Sequence, residues 1–277
     1  MDTEGYEARK QGHFVKRTMD IFDKNGVVVA IILNNFITSD AMHFATNVAS
    51  YVACADGGAN RLHDDTNGLF FPNLIIGDLD SLRDDVKKHY DTRQEVTKIV
   101  KAIDQNRHDL DKTLEYICKN CDHILTNHHV HKNNPTPRDD AGQKKLRVVV
   151  LGALGGRFDH DMANVNTLFK WTKNFDSLVL LSQDNMVQLL EPGYHEIEPC
   201  RKLEGPTCSL IPIGAPVKSV TTSGLKWNLS KQPLGFGALI STSNRILSET
   251  VIVNTTGNLL WTTSFAMKPW RTDGSQS

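Results

Sequence analysis

Two patterns of hydrophobic and polar residues divide the chain. In the first two-thirds, short runs rich in Val, Ile and Leu end abruptly in polar residues or glycine, and amphipathic stretches separate them. Such runs are typical of strands buried on both faces of a parallel sheet, and their alternation with helices predicts βαβ units. The predicted strands are residues 27–33, 51–55, 74–76, 95–100, 148–151 and 178–181. The predicted helices are residues 39–49, 82–89, 110–118 and 160–171.

The last third of the chain has a different pattern. From about Gln188, short segments separated by Gly, Pro and Asn leave no room for a long helix, which favours a small antiparallel sandwich or barrel. The predicted strands include residues 207–211, 217–221, 238–241, 249–254 and 259–265. We therefore predict an α/β domain with a parallel sheet over residues 20–185 and an all-β sandwich domain over residues 186–270. A polar segment without periodicity, residues 126–145, is predicted to be a surface loop inserted in the first domain.

Composition and charge exclude several classes of protein. The chain has 277 residues, of which 39% are hydrophobic and 23% charged, which excludes a mostly disordered, collagen-like or coiled-coil chain. Its 31 basic and 32 acidic residues leave a net charge of -1, so the total charge points to neither a nucleic-acid nor a membrane partner.

Targeting signals and cysteine usage indicate the compartment. The longest apolar run is far shorter than the roughly 20 residues that cross a bilayer, and the polar N-terminus lacks the apolar region of a signal peptide. Five scattered cysteines suit free thiols in a reducing compartment. We expect a cytoplasmic protein that binds neither nucleic acid nor membranes.

Acidic residues follow several predicted strands of the first domain. Asp56 follows one strand, Asp78 and Asp80 follow the next, and Asp109 lies beyond a third. Ligands of open parallel sheets bind at the carboxyl ends of the strands, where these carboxylates would repel one another. Mg²⁺ prefers oxygen ligands and removes that repulsion, so the set predicts a magnesium site if the turn between Asp78 and Asp80 breaks strand alternation. The alternative for either residue alone is a cap on the helix near Leu82.

A glycine-rich segment supplies the complementary half of a nucleotide site. Residues 152–159 place three glycines and Arg157 after a strand. Glycines let the backbone approach a phosphate, N–H groups at a helix start favour an anion, and arginine forks onto phosphate oxygens. The segment is neither a Walker A loop nor a dinucleotide fingerprint, and alone it is often only a tight turn. Beside the carboxylates it predicts a metal–polyphosphate complex.

Three other features leave alternatives open. Trp227 lies between Lys226 and Asn228, where it is either an exposed platform for a flat or cationic ligand or a core residue. Cys118 and Cys121, with histidines nearby, resemble part of a zinc site, but no second ligand pair follows at finger spacing. A serine hydrolase is unsupported because the chain has no Gly-x-Ser-x-Gly motif.

Six motifs in order, from about residue 27 to residue 265, resemble one family, the eukaryotic-type thiamin pyrophosphokinases. The motifs are Ala-Asp-Gly-Gly-Ala-Asn-Arg-Leu at 55–62, Gly-Asp-Leu-Asp-Ser at 77–81, Asp104-Gln105 followed by Asp109 and Lys112, Gly-Gly-Arg-Phe-Asp at 155–159, Gly-Leu-Lys-Trp-Asn-Leu at 224–229, and Ser-Thr-Ser-Asn at 241–244. The resemblance implies a nucleotide-binding α/β domain, a β-sandwich domain, and a homodimer with active sites between the subunits.

The resemblance also implies an activity and roles for individual residues. The activity is transfer of the pyrophosphoryl group of ATP to the hydroxyl of thiamin with Mg²⁺, which gives thiamin diphosphate and AMP. By resemblance, the acids that handle metal and catalysis are Asp78, Asp80 and Asp109. The residues at ATP or its polyphosphate are Asp56, Asn60, Gln105, Arg157 and Asp159. The residues at thiamin are Trp227, Ser241 and Asn244.

The chain departs from the family pattern at three positions. His108 stands where the family often has Thr, Asn106 where an acid is common, and His160 where Gln is frequent. Two alternative functions stay open. One is another Mg-ATP-dependent phosphoryl or pyrophosphoryl transferase acting on a different small alcohol, and the other is a non-catalytic thiamin- or nucleotide-binding protein. A zinc-stabilised interaction module is the third alternative.

Overall fold

The computed structural model describes residues 14–18, 27–104, 107–127, 146–201 and 203–265. The chain divides into two compact units, Ile21–Gln183 and a second that joins Met1–Asp20 to Asp184–Ser277. The second unit begins with strand β1 (Phe14–Thr18), so the two ends of the chain contribute to one unit. We call Ile21–Gln183 the α/β unit and the other the β unit.

The α/β unit contains a parallel sheet. Its strands are short, apolar and mostly buried: β2 (Val28–Ile32), β3 (Tyr51–Ala55), β4 (Leu74–Gly77), β5 (Lys98–Lys101), β6 (Arg147–Leu151) and β7 (Ser177–Leu181). They lie in the order β7-β6-β2-β3-β4-β5, all parallel. Ile32 lies opposite both Cys54 and Leu151, so the carboxyl ends of the three central strands are level. The loops that follow these strands therefore meet at one edge.

Helices connect the strands, as βαβ alternation requires. They are α1 (Ser39–Asn47), α2 (Gly58–Thr66), α3 (Asp84–Asp91), α4 (Asp109–Lys119), α5 (Cys121–Asn127) and α6 (Phe158–Trp171), which a 3₁₀ turn (Thr172–Asn174) follows. Thr38 caps α1 by accepting a hydrogen bond from the Ala41 amide at 3.3 Å. No helix among the described residues is long and apolar enough to span a membrane.

The β unit contains two groups of paired strands. Its remaining strands are β8 (Asn185–Leu190), β9 (Gly193–Glu198), β10 (Glu204–Ile211), β11 (Val217–Ser223), β12 (Gln232–Leu234), β13 (Ser241–Arg245), β14 (Val251–Thr255) and β15 (Leu259–Phe265). One group has the order β1-β9-β14-β11-β12 and the other β13-β10-β15-β8. All pairs are antiparallel except β1 with β9. This sandwich-like arrangement, with the parallel sheet of the α/β unit, confirms the predicted fold class.

Several predicted elements differ from the structure. The strand predicted at 95–100 begins only at Lys98, because the Val96 and Thr97 amides donate to the Arg93 carbonyl and close a turn. The strand predicted at 238–241 is wrong in its first three residues, since Ala238 donates to Gly235 in a turn and β13 begins at Ser241. Of the predicted loop 126–145, the first two residues end α5, and residues 128–145 lie outside the described chain.

Glu204 is a carboxylic acid that is fully buried in the β unit. Glu204 begins β10, where its Oε1 accepts a hydrogen bond from the Cys200 amide at 2.7 Å and its Oε2 accepts one from the Thr263 hydroxyl at 2.6 Å. Removal from water disfavours the charged form and raises the pKa of Glu204 to about 7, although both hydrogen bonds oppose the shift. The folded β unit therefore holds a proton that the unfolded chain releases at lower pH.

The stability of the β unit should fall as the pH rises from 4.5 to 7. The proton on Glu204 contributes its full stabilisation below the unfolded pKa of 4.5, and this is lost as the pH passes the folded value of about 7. The loss is on the order of 3 kcal/mol at about 1.4 kcal/mol per pKa unit. Glu204→Gln should flatten this dependence in chemical denaturation, whereas Glu249→Gln, which changes an exposed acid, should keep the wild-type profile. An unchanged profile in Glu204→Gln would show that another group titrates.

Candidate active site

A cavity of about 410 Å³ lies in the α/β unit at the carboxyl ends of the central strands. Its walls come from the segments that follow β2, β3, β4 and β6 and from the start of α4. The polar residues that line it include Asn34, Asn35, Asp56, Ser81, His108, Asp109, Arg157, His160, Asp161 and Asn164. This is the position at which open parallel sheets bind their ligands.

Three carboxylates come together beside this cavity. One oxygen each of Asp56, Asp78 and Asp80 lies within 4.8 Å of the other two. Leu79, between the last two, has a left-handed φ of 67°, so the backbone departs from strand alternation and both neighbouring carboxylates reach the same place. The geometry on which the metal prediction depended is therefore present.

Asp56 is the buried member of this acidic cluster. The residue is 4% exposed, its Oδ2 accepts a hydrogen bond from the Ser81 amide at 3.3 Å, and its Oδ1 is buried without a hydrogen-bond partner. Burial raises the pKa of Asp56 to about 6, and the negative charges of Asp109 and Asp78 add to the shift. An unpaired carboxylate oxygen among other acids fits a hard cation such as Mg²⁺.

Glycines allow the backbone to approach the cluster closely. A Cβ on Gly77 would lie 2.6 Å from the Cβ of Asp56, closer than carbon atoms pack. A Cβ on Gly58, the first residue of α2, would overlap the carbonyl oxygen of Ile32. The turn that carries Asp56 is thus pressed between two strands, and larger residues at 58 or 77 would displace it.

Asp109 lies on the cavity wall but outside the group of three. It is the first residue of α4, and its Oδ1 accepts a hydrogen bond from Lys112 Nζ at 2.9 Å. Lys112 is buried, so this is a positive charge held close to the acids. The metal ligands implied by the family resemblance were Asp78, Asp80 and Asp109. In the cluster that the structure brings together, the third acid is Asp56 and not Asp109.

Three side chains hold the glycine-rich turn after β6. Asn35 donates to the Gly152 carbonyl at 3.1 Å, and Asn164 donates to the Ala153 carbonyl at 2.7 Å. Asp161 accepts hydrogen bonds from the amides of Gly155 and Gly156 at 3.1 and 3.5 Å. None of these three side chains was predicted as part of the site; the signal in the sequence is that polar residues follow β2 and recur along α6. The backbone amides of this turn were predicted to bind phosphate. In this structure the amides of Gly155 and Gly156 donate to the carboxylate of Asp161 instead.

Arg157 and Asp159 form an exposed pair at the start of α6. The guanidinium donates from Nη2 to Asp159 Oδ2 at 2.6 Å and from Nε to Oδ1 at 3.1 Å. This pairing lowers the pKa of Asp159, which therefore stays ionised. Arg157 lines the cavity as predicted, whereas Asp159 contacts its guanidinium and orients it.

Asn60 and Gln105 complete the predicted nucleotide residues. Asn60 is outside the cavity wall; its amide donates to the Ser81 carbonyl at 2.8 Å and accepts from the Arg83 amide at 3.1 Å. Gln105 and its neighbour Asn106 lie outside the described residues. The assignment of both Asn60 and Gln105 to ATP stays a prediction.

Trp227 is an exposed platform in the β unit. The residue is 56% exposed, which excludes the alternative of a core tryptophan, and Lys226 Nζ lies 4.5 Å from the centre of its ring. Buried Asn244 clamps its main chain: Oδ1 accepts from the Trp227 amide at 3.1 Å and Nδ2 donates to its carbonyl at 2.8 Å. Asn244 therefore acts on the position of Trp227. Ser241 is buried at the start of β13, the strand that also carries Asn244.

The zinc alternative finds no support in the part of the chain that the structure describes. The grouping of ligand atoms found there is that of the three aspartates, and it includes neither Cys118 nor Cys121. Cys118 Sγ instead accepts a weak hydrogen bond from Asn174 Nδ2 at 3.7 Å. The histidines of the zinc alternative at 128, 129 and 131 lie outside the described residues.

Comparison with protein families distinguishes between the remaining hypotheses about function. A model of the thiamin pyrophosphokinase catalytic domain matches residues 43–180, and a model of the thiamin pyrophosphokinase vitamin B1 binding domain matches residues 194–260. The chain belongs to the thiamin pyrophosphokinase family. The family resemblance seen in the six motifs is thereby confirmed.

Curated relatives and solved structures agree with this family. The chain is 42% identical over 226 residues to thiamine pyrophosphokinase 1 of Arabidopsis thaliana, and the aligned residues cover 76% of each chain. It is 27% identical over 262 residues to thiamin pyrophosphokinase 1 of Caenorhabditis elegans, with 92% of this chain and 95% of that one covered. The fold resembles thiamin pyrophosphokinase from Candida albicans with a TM-score of 0.77 at 24% identity, over 92% of this chain and 94% of that one.

Proposed function

We propose that the cavity of the α/β unit carries out the reaction of this family. As a thiamin pyrophosphokinase, the chain is an enzyme that transfers the pyrophosphoryl group of ATP to the hydroxyl of thiamin, which gives thiamin diphosphate and AMP. The observation that supports this location is the convergence of Asp56, Asp78 and Asp80 beside the cavity that Arg157 lines. Acids for a metal and a cation for phosphate are the two requirements of phosphoryl transfer.

Magnesium is the proposed metal, held by Asp78 and Asp80. The unpartnered oxygen of Asp56 and the hard oxygen ligands of the cluster fit this ion. When bound, Mg²⁺ offsets the negative charge of the polyphosphate and of the carboxylates. Asp109 is proposed to help hold the metal or the substrate, and it can accept the proton that the thiamin hydroxyl loses. Its partner Lys112 adds a positive charge near the transferred group.

Arg157 is proposed to bind the polyphosphate of ATP. Its guanidinium is exposed on the cavity wall, and Asp159 holds it in one orientation, which favours a forked contact with phosphate oxygens. Asn35 and Asn164 fix the turn from which Arg157 projects. A polyphosphate oxygen that binds the amides of Gly155 or Gly156 has to displace the carboxylate of Asp161.

Trp227 is proposed to bind thiamin in a homodimer with shared active sites. Thiamin carries a permanently cationic thiazolium, for which the face of an indole ring is a suitable platform. Asn244 holds Trp227 in place, and Ser241 begins the same strand as Asn244; both are proposed to act in the same subsite. The cytoplasm is the proposed compartment, since none of the five cysteines, all of which the structure describes, forms a disulfide, and reduced thiols suit a reducing compartment.

Incubation with ATP, Mg²⁺ and thiamin should yield AMP and thiamin diphosphate. Asp78→Asn should lower turnover at saturating Mg²⁺ by at least about a hundredfold, the upper end of what even indirect metal partners cost. Asp84→Asn, an acid of α3 outside the cluster, is the matched control and should retain turnover. ADP and thiamin monophosphate as products would show a monophosphoryl kinase. No thiamin-dependent product would overturn the proposed function, and full turnover in Asp78→Asn would overturn the role of Asp78.

Trp227→Ala should weaken thiamin binding with little effect on ATP. We expect the KM for thiamin to rise about tenfold, which corresponds to about 1.4 kcal/mol of lost stacking, and the KM for ATP to change less than about twofold. Trp227→Phe keeps an aromatic face and should lose less. Steady-state kinetics with each substrate varied in turn decides the point. An equal rise in both KM values would show that Trp227 supports the fold rather than the thiamin subsite.

Mixed variants test whether the active site is shared. The assay uses thiamin well below its wild-type KM, where Trp227→Ala alone should keep about a tenth of the wild-type activity. If Trp227 of one subunit serves the site of its partner, refolding Trp227→Ala together with Asp78→Asn should then restore activity to about a quarter of wild type, because about half of the dimers are hybrids with one intact site. Each variant refolded alone is the control. No recovery in a preparation that light scattering shows to be dimeric would place both residues in one subunit's site.

A further inference from the structure

The amide of Asn60 joins helix α2 to the segment that carries the acidic cluster. Its Nδ2 donates to the Ser81 carbonyl at 2.8 Å and its Oδ1 accepts from the Arg83 amide at 3.1 Å. These contacts lie on either side of buried Leu82. One side chain thereby binds the main chain at two points, just after Asp78 and Asp80.

A second contact from the same helix face reinforces the first. Asp64 lies one helical turn after Asn60, and its two oxygens accept from Arg83 Nη1 and Nη2, both at 2.7 Å. A forked arginine–carboxylate pair restrains the orientation of both groups as well as their distance. We call Asn60 and Asp64, with the Ser81 and Arg83 groups that they bind, the α2 brace.

Helix α2 is a fixed reference for these contacts. Its first residue, Gly58, packs so tightly on β2 that a Cβ would overlap the Ile32 carbonyl, and its first turn closes on the Asp56 carbonyl, which accepts from the Ala59 amide at 3.1 Å. Asp56 therefore moves with the N-terminus of α2. The brace connects the other two acids to the same helix through Ser81.

Ser81 lies where these connections meet. Its amide donates to Asp56 Oδ2 at 3.3 Å, its hydroxyl donates to Asp80 Oδ1 at 3.1 Å, and its carbonyl accepts from Asn60. A shift of Ser81 changes the distance between the buried acid and the exposed one. The geometry of the cluster depends on a residue that α2 holds.

We propose that Asn60 and Asp64 are positioning residues for the metal site: through Ser81 and Arg83 they hold Asp78 and Asp80 in register with Asp56, and Asn60 does not contact ATP. The inference rests on the magnesium site of the proposed function. It assigns Asn60 differently from the family resemblance, because both polar groups of its amide are bound to the loop and the residue lies outside the cavity wall. Such outer partners of metal ligands set metal affinity.

Binding of Mn²⁺ in the absence of nucleotide tests the proposal directly. Electron paramagnetic resonance of free Mn²⁺ should show that Asn60→Ala and Asp64→Asn each bind the ion about tenfold more weakly than the wild-type chain. Arg83→Lys keeps the charge but loses the fork, so we expect an intermediate loss. Binding of ATP measured in excess EDTA, where no metal contributes, should remain unchanged in Asn60→Ala.

Matched controls separate the brace from general effects of charge. Asp65→Asn removes the acid next to Asp64 on α2, and Asp85→Asn removes the other carboxylate near Arg83, at 3.3 Å from its Nε. Both should bind Mn²⁺ like the wild-type chain. Near-UV circular dichroism shows whether each variant is folded. If Asp64→Asn does not fold, Arg83→Lys still tests the forked contact between Asp64 and Arg83.

Two results would overturn the proposal. One is wild-type Mn²⁺ affinity in folded Asn60→Ala and Arg83→Lys, and the other is weaker metal-free ATP binding in Asn60→Ala, which would make Asn60 a nucleotide ligand. A wild-type chain that binds Mn²⁺ but forms no AMP would overturn the proposed reaction alone. Unchanged Mn²⁺ binding in Asp78→Asn would remove the metal site on which both proposals rest.

Discussion

Repulsion between carboxylates is the constraint around which the α/β unit is built. Oxygens of Asp56, Asp78 and Asp80 lie within 4.8 Å of one another, and burial of Asp56 makes its charged form still less favourable. Such an arrangement persists only if the surrounding backbone leaves the acids no way to separate. The left-handed residues at Asp56 and Leu79 and the hydrogen bonds of Ser81 meet this requirement. The magnesium ion proposed above would relieve a repulsion that the fold has already imposed.

The rest of the unit serves this arrangement through close packing. Level strand ends bring four loops to one edge, and glycines at 58 and 77 let the turn of Asp56 lie between its neighbours without steric overlap. On the opposite wall, Asn35 and Asn164 bind carbonyl groups of the glycine turn, so that both halves of the cavity are held by side chains from regular elements or their ends. The loops that carry the site are thus held in place by the strands and helices that flank them.

The sequence predicted which acidic and basic residues lie at the cavity better than it predicted the contacts that support them. Asp78, Asp80 and Arg157 follow apolar runs, and the topology of a parallel sheet brings such residues together. Helix α2 was not predicted, because it begins with glycine and its apolar face consists of little more than Ala59 and Leu62. The contacts of Asp161 and the pairing of β1 with β9 depend on tertiary geometry that no local pattern encodes. The strand predicted at 238–241 was displaced from β13 because residues 238–240, which lie before the strand, are more apolar than β13 itself.

Strand β5 shows how the sheet of the α/β unit ends. It has four residues, and both of its terminal residues, Lys98 and Lys101, are exposed. An edge strand offers unpaired backbone groups to any other extended chain, so a long apolar edge invites intermolecular sheet growth. A short edge with a lysine at each end opposes this, since a second copy would bring like charges together. The sheet that gathers the three aspartates is thus protected at this edge against aggregation during folding and at high concentration.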